Sequence, residues 1–411
     1  MLKRIVKTSN IVRDTYRCFS SGISNNKQVV YSWGCGVDGK LGIGSDSGYE
    51  AYPVPIAESS LLEIKNIVCG NYHTMLLDRS GKVYSFGWTS FVGGDRTVKE
   101  TDRRSLSPKL ITSLEAYNIV ALAGGRRHTL AVDSEGRVHV FGVGSEHQLG
   151  TNSTKNEPSA VMLPQLLFDN QKVVQVAAGW GHSLALTENG NIYSWGWTQG
   201  AQTGQGYSSD TPIPIPKRIE TLGKCKQIHS GFDHCMAISV DNDVYVWGSN
   251  EFGQLGLGHT NNQSTPTKLD NIKVDAHTKV SLGFGHSLIV DQQGNQLYSF
   301  GLNGNGQLGL GNKQNYHTPQ RVEFDFDQQT ICQVSAGRAH SAALTNNGRL
   351  YLWGNASKGK LGHGSVSPDE THPIEIYDFD ENKPQSSPLE SQIVTLVTCG
   401  FDHTLALIKD K

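Results

Sequence analysis

One pattern recurs seven times along the chain at a nearly constant interval, and this periodicity limits the possible folds more than any other feature. A strand-like segment that ends in an aromatic residue and a glycine begins at positions 31, 84, 139, 193, 245, 298 and 351. A Gly-x-x-His pattern alternates with it and begins at positions 70, 125, 179, 231, 283, 337 and 400. Because self-similarity at a fixed spacing is the signature of repeat architectures, the sequence predicts one structural unit repeated seven times.

Each unit has the pattern of short β-strands rather than of helices. In the fourth unit, apolar residues at 236–238 and 244–247 flank a turn rich in Asp and Asn at 241–243, as in a β-hairpin. Glycine accounts for 46 of the 411 residues, and so many glycines would destabilise helices. Four antiparallel strands per unit, arranged radially, predict an all-β, seven-bladed β-propeller over residues 29–411.

The two ends of the repeat region carry complementary halves of a unit. The chain enters this region at an aromatic-Gly strand and leaves it just after the last Gly-x-x-His, at residues 405–408. Pairing of these N- and C-terminal strands would complete one blade and close the ring. Closure removes exposed strand edges, which otherwise promote aggregation.

Residues 1–19 differ from the repeats in composition. Five basic residues stand against one acid, Asp14, and apolar residues cluster on one side of a helical wheel. Such a segment is typical of a mitochondrial targeting peptide, which we predict to be cleaved and followed by a linker at residues 20–28. The alternative is a disordered basic tail. The prediction places the protein in the mitochondrial matrix or on the matrix face of the inner membrane, and no apolar run is long enough for an integral membrane segment.

Three elements recur in fixed order: Gly-x-x-His followed by Ser or Thr, the aromatic-Gly strand end, and Gln-Leu-Gly as at residues 254–256 and 307–309. Over about residues 29–409 this order resembles the regulator-of-chromosome-condensation family. The resemblance implies a seven-bladed propeller without a pocket for bond chemistry. The founding member of that family is a nucleotide exchange factor for a small nuclear GTPase. Other members are interaction modules, photoreceptors, or mitochondrial proteins tied to GTPase regulation and ribosome assembly, and the basic N-terminal segment points to this mitochondrial branch.

The two variable residues inside each Gly-x-x-His are the candidate partner-binding residues. Because a packing constraint would not produce such varied residue types, we expect these turns to crown one face of the propeller and to contact a protein. The preceding glycines are expected to permit a positive φ or close packing. The candidates are Asn71, Tyr72, Arg126, Arg127, Trp180, Phe232, Asp233, Phe284, Arg338, Phe401 and Asp402.

The histidines of the motif are interpreted as structural residues. Each belongs to a different blade, so they surround the ring instead of converging on a metal ion, and we expect each imidazole to bond to backbone groups at its turn. The cysteines include no Cys-x-x-Cys pair, and the sequence therefore predicts neither a metal site nor a cofactor. The structural histidines are His73, His128, His182, His234, His286, His340 and His403.

The resemblance implies a role for acidic residues in these turns, since the nuclear exchange factor contacts its GTPase through acids in the second and third turns. Here the acids are Asp233 and Asp402, in the fourth and seventh turns. The loop at 143–157 has ordinary length and lacks the wedge-like insertion of that factor. Both departures argue against the same GTPase partner and leave another GTPase open.

Arginines in the same turns support a second interpretation. Arg126, Arg127 and Arg338 are suited to contact the phosphates of RNA or of a nucleotide. The alternative is a solvated face, or salt bridges to acids of the neighbouring turns. Trp180 resembles the Trp-bearing repeats of the plant ultraviolet-receptor branch, but one such tryptophan does not predict photoreception.

No catalytic constellation accompanies the repeats, because the sequence contains neither a P-loop nor a nucleophile elbow. We therefore predict a non-enzymatic mitochondrial scaffold that acts as a guanine-nucleotide exchange factor or adaptor for a mitochondrial GTPase. The alternative is an RNA-associated assembly factor of the mitochondrial ribosome, with ribosomal RNA or assembly proteins as partners. No DNA partner is expected, because the net charge is −2.

Loops at 88–107, 197–216 and 355–392 depart from the repeat. The acidic residues of the last loop are a candidate binding surface for a partner, which we call the candidate lip.

Overall fold

The computed structural model of the chain describes residues 28–88, 104–207, 210–270, 272–275, 278–291, 295–326, 328–376 and 392–410. Within these residues, 28 strands form seven four-stranded antiparallel sheets, which confirms the predicted seven-bladed β-propeller. The predicted targeting peptide at 1–19 and nearly all of the linker at 20–28 lie outside the described residues.

Each blade is built from four consecutive strands, except for the last one. Blade 1 contains β3 to β6, and each following group of four strands forms the next blade up to β26 in blade 6. The strands are β1 Gln28–Cys35, β2 Tyr49–Pro55, β3 Ile64–Cys69, β4 His73–Asp78, β5 Val83–Trp88, β6 Arg104–Leu110, β7 Ile119–Gly124, β8 His128–Asp133, β9 Val138–Gly142, β10 Glu157–Met162, β11 Val173–Ala178, β12 His182–Thr187, β13 Ile192–Gly196, β14 Ile213–Arg218, β15 Cys225–Ser230, β16 His234–Ser239, β17 Val244–Gly248, β18 Gln263–Leu269, β19 Lys279–Leu282, β20 His286–Val290, β21 Leu297–Gly301, β22 Tyr316–Arg321, β23 Ile331–Ala336, β24 His340–Thr345, β25 Leu350–Gly354, β26 Glu370–Ile376, β27 Gln392–Cys399 and β28 His403–Asp410. Short 3-10 turns occupy Val37–Gly39, Ala57–Leu61, Thr112–Leu114, Gln165–Phe168 and Ser357–Gly359.

Blade 7 closes the ring with strands from both ends of the repeat region. Its strand order is β2-β1-β28-β27, so the first two strands come from the N-terminal side and the other two from the C-terminal side. Strands β1 and β28 pair in an unbroken register from Gln28 opposite Lys409 to Gly34 opposite His403. The prediction that the ends of the repeat region pair to close the ring is therefore confirmed.

The second strand of blades 1 to 6 is buried along its whole length, and so is β28 of blade 7 except for its last two residues, because the faces of neighbouring blades cover both sides of these strands. Strand β12, for example, is buried at every residue. The aromatic residue before the glycine of the third strand is also buried, and it packs across the gap between two blades. Trp33 of blade 7, for instance, shares a cluster with Leu352 and Leu361 of blade 6. The hydrophobic core is thus divided among the blade-to-blade contacts instead of forming one central mass.

Among the described residues, no helix combines the length and the apolar character that crossing a membrane requires.

Candidate partner-binding site

The Gly-x-x-His turns join the first strand of each blade to the second, and backbone hydrogen bonds link them around the ring. In turn 4 the amide of Gly231 donates to the carbonyl of His234 (2.9 Å), and the amide of Phe232 donates to the carbonyl of Gly283 in the next blade (3.0 Å). The first variable residue is therefore held by its neighbour's turn as well as by its own. We call the surface formed by these seven turns the turn face.

Glycine is required in this motif because of close packing and not because of a positive φ. A Cβ added at Gly231 would lie 2.5 Å from Cε1 of His234 and 2.6 Å from the carbonyl oxygen of Gly283. Real Cβ atoms do not approach other heavy atoms so closely. Of the two roles predicted for these glycines, the structure supports close packing.

We expect Gly231→Ala to reduce the free energy of unfolding by about 2–4 kcal/mol, since the new methyl group must displace an imidazole or a backbone carbonyl. Gly223 is a matched control, because an added Cβ there meets no atom within 4 Å and its φ is not positive. Gly223→Ala should leave stability unchanged or raise it by up to about 1 kcal/mol. Urea unfolding of both variants checks this, and equal stabilities would contradict the close-packing account.

The seven motif histidines form a closed ring of side-chain contacts between adjacent blades. Each Nε2 lies against the hydroxyl or thiol that follows the histidine of the next blade, and the last histidine reaches back to blade 1. The prediction that each imidazole bonds to backbone groups at its turn is therefore wrong, since the partner of each Nε2 is a side chain of the neighbouring blade. The contacts are His73 with Thr129 (2.9 Å), His128 with Ser183 (2.9 Å), His182 with Cys235 (3.1 Å), His234 with Ser287 (3.0 Å), His286 with Ser341 (3.0 Å), His340 with Thr404 (3.0 Å) and His403 with Thr74 (3.0 Å).

In several joints between blades, one backbone carbonyl brings the three sequence motifs together. The carbonyl belongs to the first residue of the Gln-Leu-Gly segment, and it accepts from the residue after a motif histidine and from the tryptophan of an aromatic-Gly strand. At the joint of blades 2 and 3, the carbonyl of Gln148 accepts from the hydroxyl of Ser183 (2.8 Å) and from Nε1 of Trp195 (2.9 Å). The hydroxyl hydrogen of Ser183 is thereby used, so Nε2 of His128 must donate the hydrogen to Ser183. The same arrangement of His, hydroxyl, carbonyl and Trp recurs at Gln307 and Lys360.

This arrangement keeps the histidines neutral. Nδ1 of all seven is buried without a hydrogen-bond partner, so protonation would place an unpaired N–H in the core. Burial lowers the pKa of His73 to about 4 and the pKa values of His128, His182, His234, His286 and His340 to about 3. Burial likewise places the pKa of His403 well below its ordinary value.

The first variable residues of the turns converge on the axis of the ring. The rings of Phe232 in turn 4 and Phe401 in turn 7 lie 5.9 Å apart, although three blade-to-blade steps separate their turns. Phe232 also contacts Trp180 (3.9 Å) and Phe284 (4.7 Å). These four residues form a half-buried aromatic group that we call the axial cluster.

An arginine stacks on each side of the axial cluster. The guanidinium carbon of Arg126 lies 3.5 Å from the centre of the Trp180 ring, and that of Arg338 lies 4.8 Å from the centre of Phe401. Asn71, which holds the corresponding position in turn 1, has a buried amide nitrogen without a hydrogen-bond partner. The axial end of the turn face therefore combines aromatic rings with positive charge and unused donors.

The second variable residues do not join the axial cluster. Each contacts structural elements of its own or a neighbouring blade instead. Tyr72 lies edge-on to Trp88 (6.4 Å between ring centres), and Arg127 pairs with Glu146 (3.5 Å). The structure thus separates the eleven predicted partner-binding residues into an axial group and an outer group.

The two aspartates of the outer group have opposite electrostatic environments. Lys360 Nζ donates to Asp402 Oδ1 at 2.9 Å, and Lys358 and Arg338 lie 3.9 Å from its other oxygen. Burial alone would raise the pKa of Asp402, but these cations, Lys360 above all, hold it below its ordinary value. The Asp402 carboxylate is therefore engaged within the chain.

Asp233 has no such cation among the described residues. The position that corresponds to Lys360 is Gln202, whose amide donates to Asp233 at 3.3 Å. Burial and the nearby Glu251 carboxylate raise the pKa of Asp233 to about 6. Of the two aspartates, Asp233 is the one left available to a partner.

Sequence reasoning missed the residues that surround the predicted ones, namely Lys358, Lys360, Glu146 and Glu251. Lys360 could have been found from the sequence, because it replaces the glutamine of Gln-Leu-Gly in the sixth unit.

In the loop at 355–392, the Asp369 carboxylate accepts hydrogen bonds from Asn305, Lys313 and Asn355, so it is engaged within the chain. The other acids of the candidate lip, except Glu370, lie outside the described residues.

A central channel runs along the axis and is bordered by Asn71, Phe232, Phe284, Arg338 and Phe401 at the turn face.

Within the described ranges, no group of three or more His, Cys, Asp or Glu residues is placed to hold a metal ion.

A family model described as the RCC1-like domain matches residues 29–406 of the chain. The Ultraviolet-B receptor UVR8 of Arabidopsis thaliana is 33% identical over 84% of this chain and 77% of the receptor. The RCC1 domain-containing protein RUG3, mitochondrial, from the same plant is 26% identical over 92% of this chain and 88% of RUG3. Among solved structures, Prp20p from Saccharomyces cerevisiae, described together with its binding to Gsp1p and histones, is 24% identical with a TM-score of 0.80, over 100% of this chain and 97% of Prp20p. At this identity the structural match shows the fold.

Proposed function

The chain belongs to the RCC1-like domain family, and from this premise we propose that its turn face binds a protein partner and that the partner is a mitochondrial GTPase. In this proposal the protein acts as a guanine-nucleotide exchange factor or as an adaptor. It performs no bond chemistry itself. Members of the family act as exchange factors or binding proteins.

The observation that carries the proposal is the axial cluster. Trp180, Phe232, Phe284 and Phe401 are only partly buried, and none of them belongs to the blade-to-blade cores. Aromatic and arginine residues grouped at the centre of a surface are the typical composition of binding hot spots. The turn face therefore has a composition suited to binding a macromolecule.

Two observations support the choice of partner and compartment. Prp20p, which shares the fold, binds Gsp1p, and RUG3 is named as a mitochondrial protein. The basic segment at residues 1–19 agrees with mitochondrial import. An exchange factor works by binding the nucleotide-free GTPase more tightly than the loaded form, which lowers the affinity for nucleotide by the same factor.

The exchange proposal is tested with labelled GDP bound to a purified mitochondrial GTPase. We expect the protein to accelerate GDP release and Trp180→Ala or Asp233→Asn to slow that release at least about tenfold, a loss of about 1.4 kcal/mol. Arg321→Ala, on outer strand β22 of blade 5, is the control and should behave as wild type. If the protein neither binds a mitochondrial GTPase nor changes the rate of GDP release from any of them, the proposal is wrong.

The compartment is tested separately. Residues 1–25 fused to a fluorescent protein should carry it into mitochondria, and replacing the five basic residues by Gln should leave it in the cytosol, because import requires the positive charge. Fluorescence microscopy provides the measurement. Cytosolic fluorescence of the unchanged fusion would contradict the targeting proposal and would leave the role of the turn face open.

A further inference from the structure

The axial cluster shows which chemical class of partner segment the turn face accepts. The side chain of Arg126 forms no hydrogen bond or ion pair within the part of the chain that the structure describes, and its buried Nε has no partner. The guanidinium carbon stacks 3.5 Å above the centre of the Trp180 ring. Stacking occupies the flat face of a guanidinium and leaves the N–H groups of its edge free, and these groups bind carboxylates in a two-point manner.

Arg338 repeats this arrangement on the other side of the axis. Its side chain is 51% exposed, and the nearest acid, Asp402, is 3.9 Å away and already receives a hydrogen bond from Lys360. Because three cations surround the single Asp402 carboxylate, this group of side chains keeps a net positive charge. The first variable positions of the turns thus present two arginines and no acid.

Trp180, the largest ring of the axial cluster, does not offer an open face to a nucleic-acid base. The centres of Arg126 and Phe232 both lie within 4 Å of the centre of the Trp180 ring, so steric exclusion places them on opposite faces of the indole. Recognition of single-stranded RNA requires open aromatic faces on which bases can stack. The arrangement therefore favours a carboxylate-bearing protein segment over RNA.

We propose that the axial cluster is a docking site for an acidic segment of the protein partner, in which two carboxylates bind the edges of Arg126 and Arg338 while the segment crosses the axis. The unused amide of Asn71 supplies a third donor beside it. Asp233 and Glu251, in blade 4, repel an acidic segment and so fix its direction across the face. This inference rests on the proposed role of the turn face and specifies the partner's chemistry.

The test measures binding of fluorescein-labelled Gly-Ser peptides that carry two glutamates separated by about two to four residues, with the full chain as receptor. We expect one spacing to bind best, with affinity falling as salt is raised. Replacing both glutamates by Gln should weaken binding at least about tenfold, because the charge-assisted contacts are lost.

Variants of the receptor assign the site. Arg126→Gln and Arg338→Gln should each raise the Kd of the glutamate peptide about tenfold or more. Arg321→Gln is the matched control, since the Arg321 side chain is 52% exposed, lies on outer strand β22 and pairs with Glu323. The control should change the Kd less than about twofold. Thermal melting confirms that all three variants remain folded.

Three outcomes would overturn the inference. The first is that no glutamate peptide binds at millimolar concentration, and the second is that binding is unchanged in both arginine variants. The third is that an oligouridylate binds more tightly than the peptides and loses affinity in the same variants, which would assign the site to RNA. If the peptides do not bind but Trp180→Ala still slows GDP release from a GTPase, only the acidic-segment inference is wrong. If substitutions on the turn face leave GDP release and GTPase binding unchanged, the proposed function is wrong.

Discussion

Deleting residues 392–410 is expected to unfold the whole propeller and not only blade 7. The deletion removes β27 and β28, including the pairing of β28 with β1 that closes the ring. Val394 and Val397 belong to the core between blades 6 and 7, and Leu396 and Leu405 belong to the core between blades 7 and 1. Exposing a buried side chain of this size costs about 1.5–3 kcal/mol, so a few such losses exceed the typical stability of a whole domain.

Circular dichroism and thermal unfolding provide the measurement for this deletion. We expect the truncated chain to lack a cooperative transition. A circular permutant is the control: it begins at residue 392, joins Asp410 to Gln28 through a short hairpin loop, and ends at residue 376. The antiparallel register that sets Gln28 opposite Lys409 makes that connection short, and the permutant should melt cooperatively. A truncated chain that melts like the full one would show that closure is not required.

Acid is expected to destabilise the ring strongly because of its buried histidines. Their pKa values in the folded state are about 3 to 4 for six of the seven, against an ordinary value of about 6.5 in the unfolded chain. The unfolded chain therefore binds more protons than the folded one between these values. The free energy of unfolding keeps the full contribution of these neutral histidines above a pH of about 6.5. It decreases as the pH is lowered, by at most about 1.4 kcal/mol per histidine per pH unit.

Urea unfolding at pH values of about 7.5, 6.5, 5.5 and 4.5 measures this dependence. The interval from about 6.5 to 5.5 is the most informative, because ordinary carboxylates titrate below it. Asp233, whose pKa is raised to about 6, acts in the opposite direction, but it is one group against eight, since burial also lowers the pKa of His229 to about 4. Because His234→Gln removes one titrating group, it should reduce the number of protons taken up on unfolding in this interval by about one. A stability that is constant down to a pH of about 5 would contradict the account of the histidine ring.

The fold was predictable because the sequence signals that specify it repeat at a regular spacing. Each unit repeats the same strand and turn signals, and the incomplete units at the two ends of the repeat region fit only a closed ring. The partners of the histidines were harder to predict, since Nε2 of His128 contacts Ser183, a residue from the next unit. A signal was present, because Ser, Thr or Cys follows the motif histidine in all seven copies.

The candidate site was predictable as a set of turns but not as an arrangement. Adjacent residues in a turn point in different directions, so Arg126 stacks on the axial cluster while Arg127 pairs with Glu146. Asp233 and Asp402 look alike in sequence, and the side chains around them distinguish them, above all Gln202 beside Asp233 and Lys360 beside Asp402. Such differences arise from contacts between units, which the pattern within one unit does not encode.

The most direct test of the central claim is to recover the tagged protein from mitochondria, with and without ribonuclease, and to compare the wild type with Trp180→Ala and Arg321→Ala. If the turn face is the docking surface, a GTPase should be recovered with the wild type and with Arg321→Ala after ribonuclease, and should be lost with Trp180→Ala. Equal recovery with all three proteins would place the docking surface elsewhere. Loss of every partner on ribonuclease treatment would contradict the claim and assign the protein to RNA-dependent assemblies.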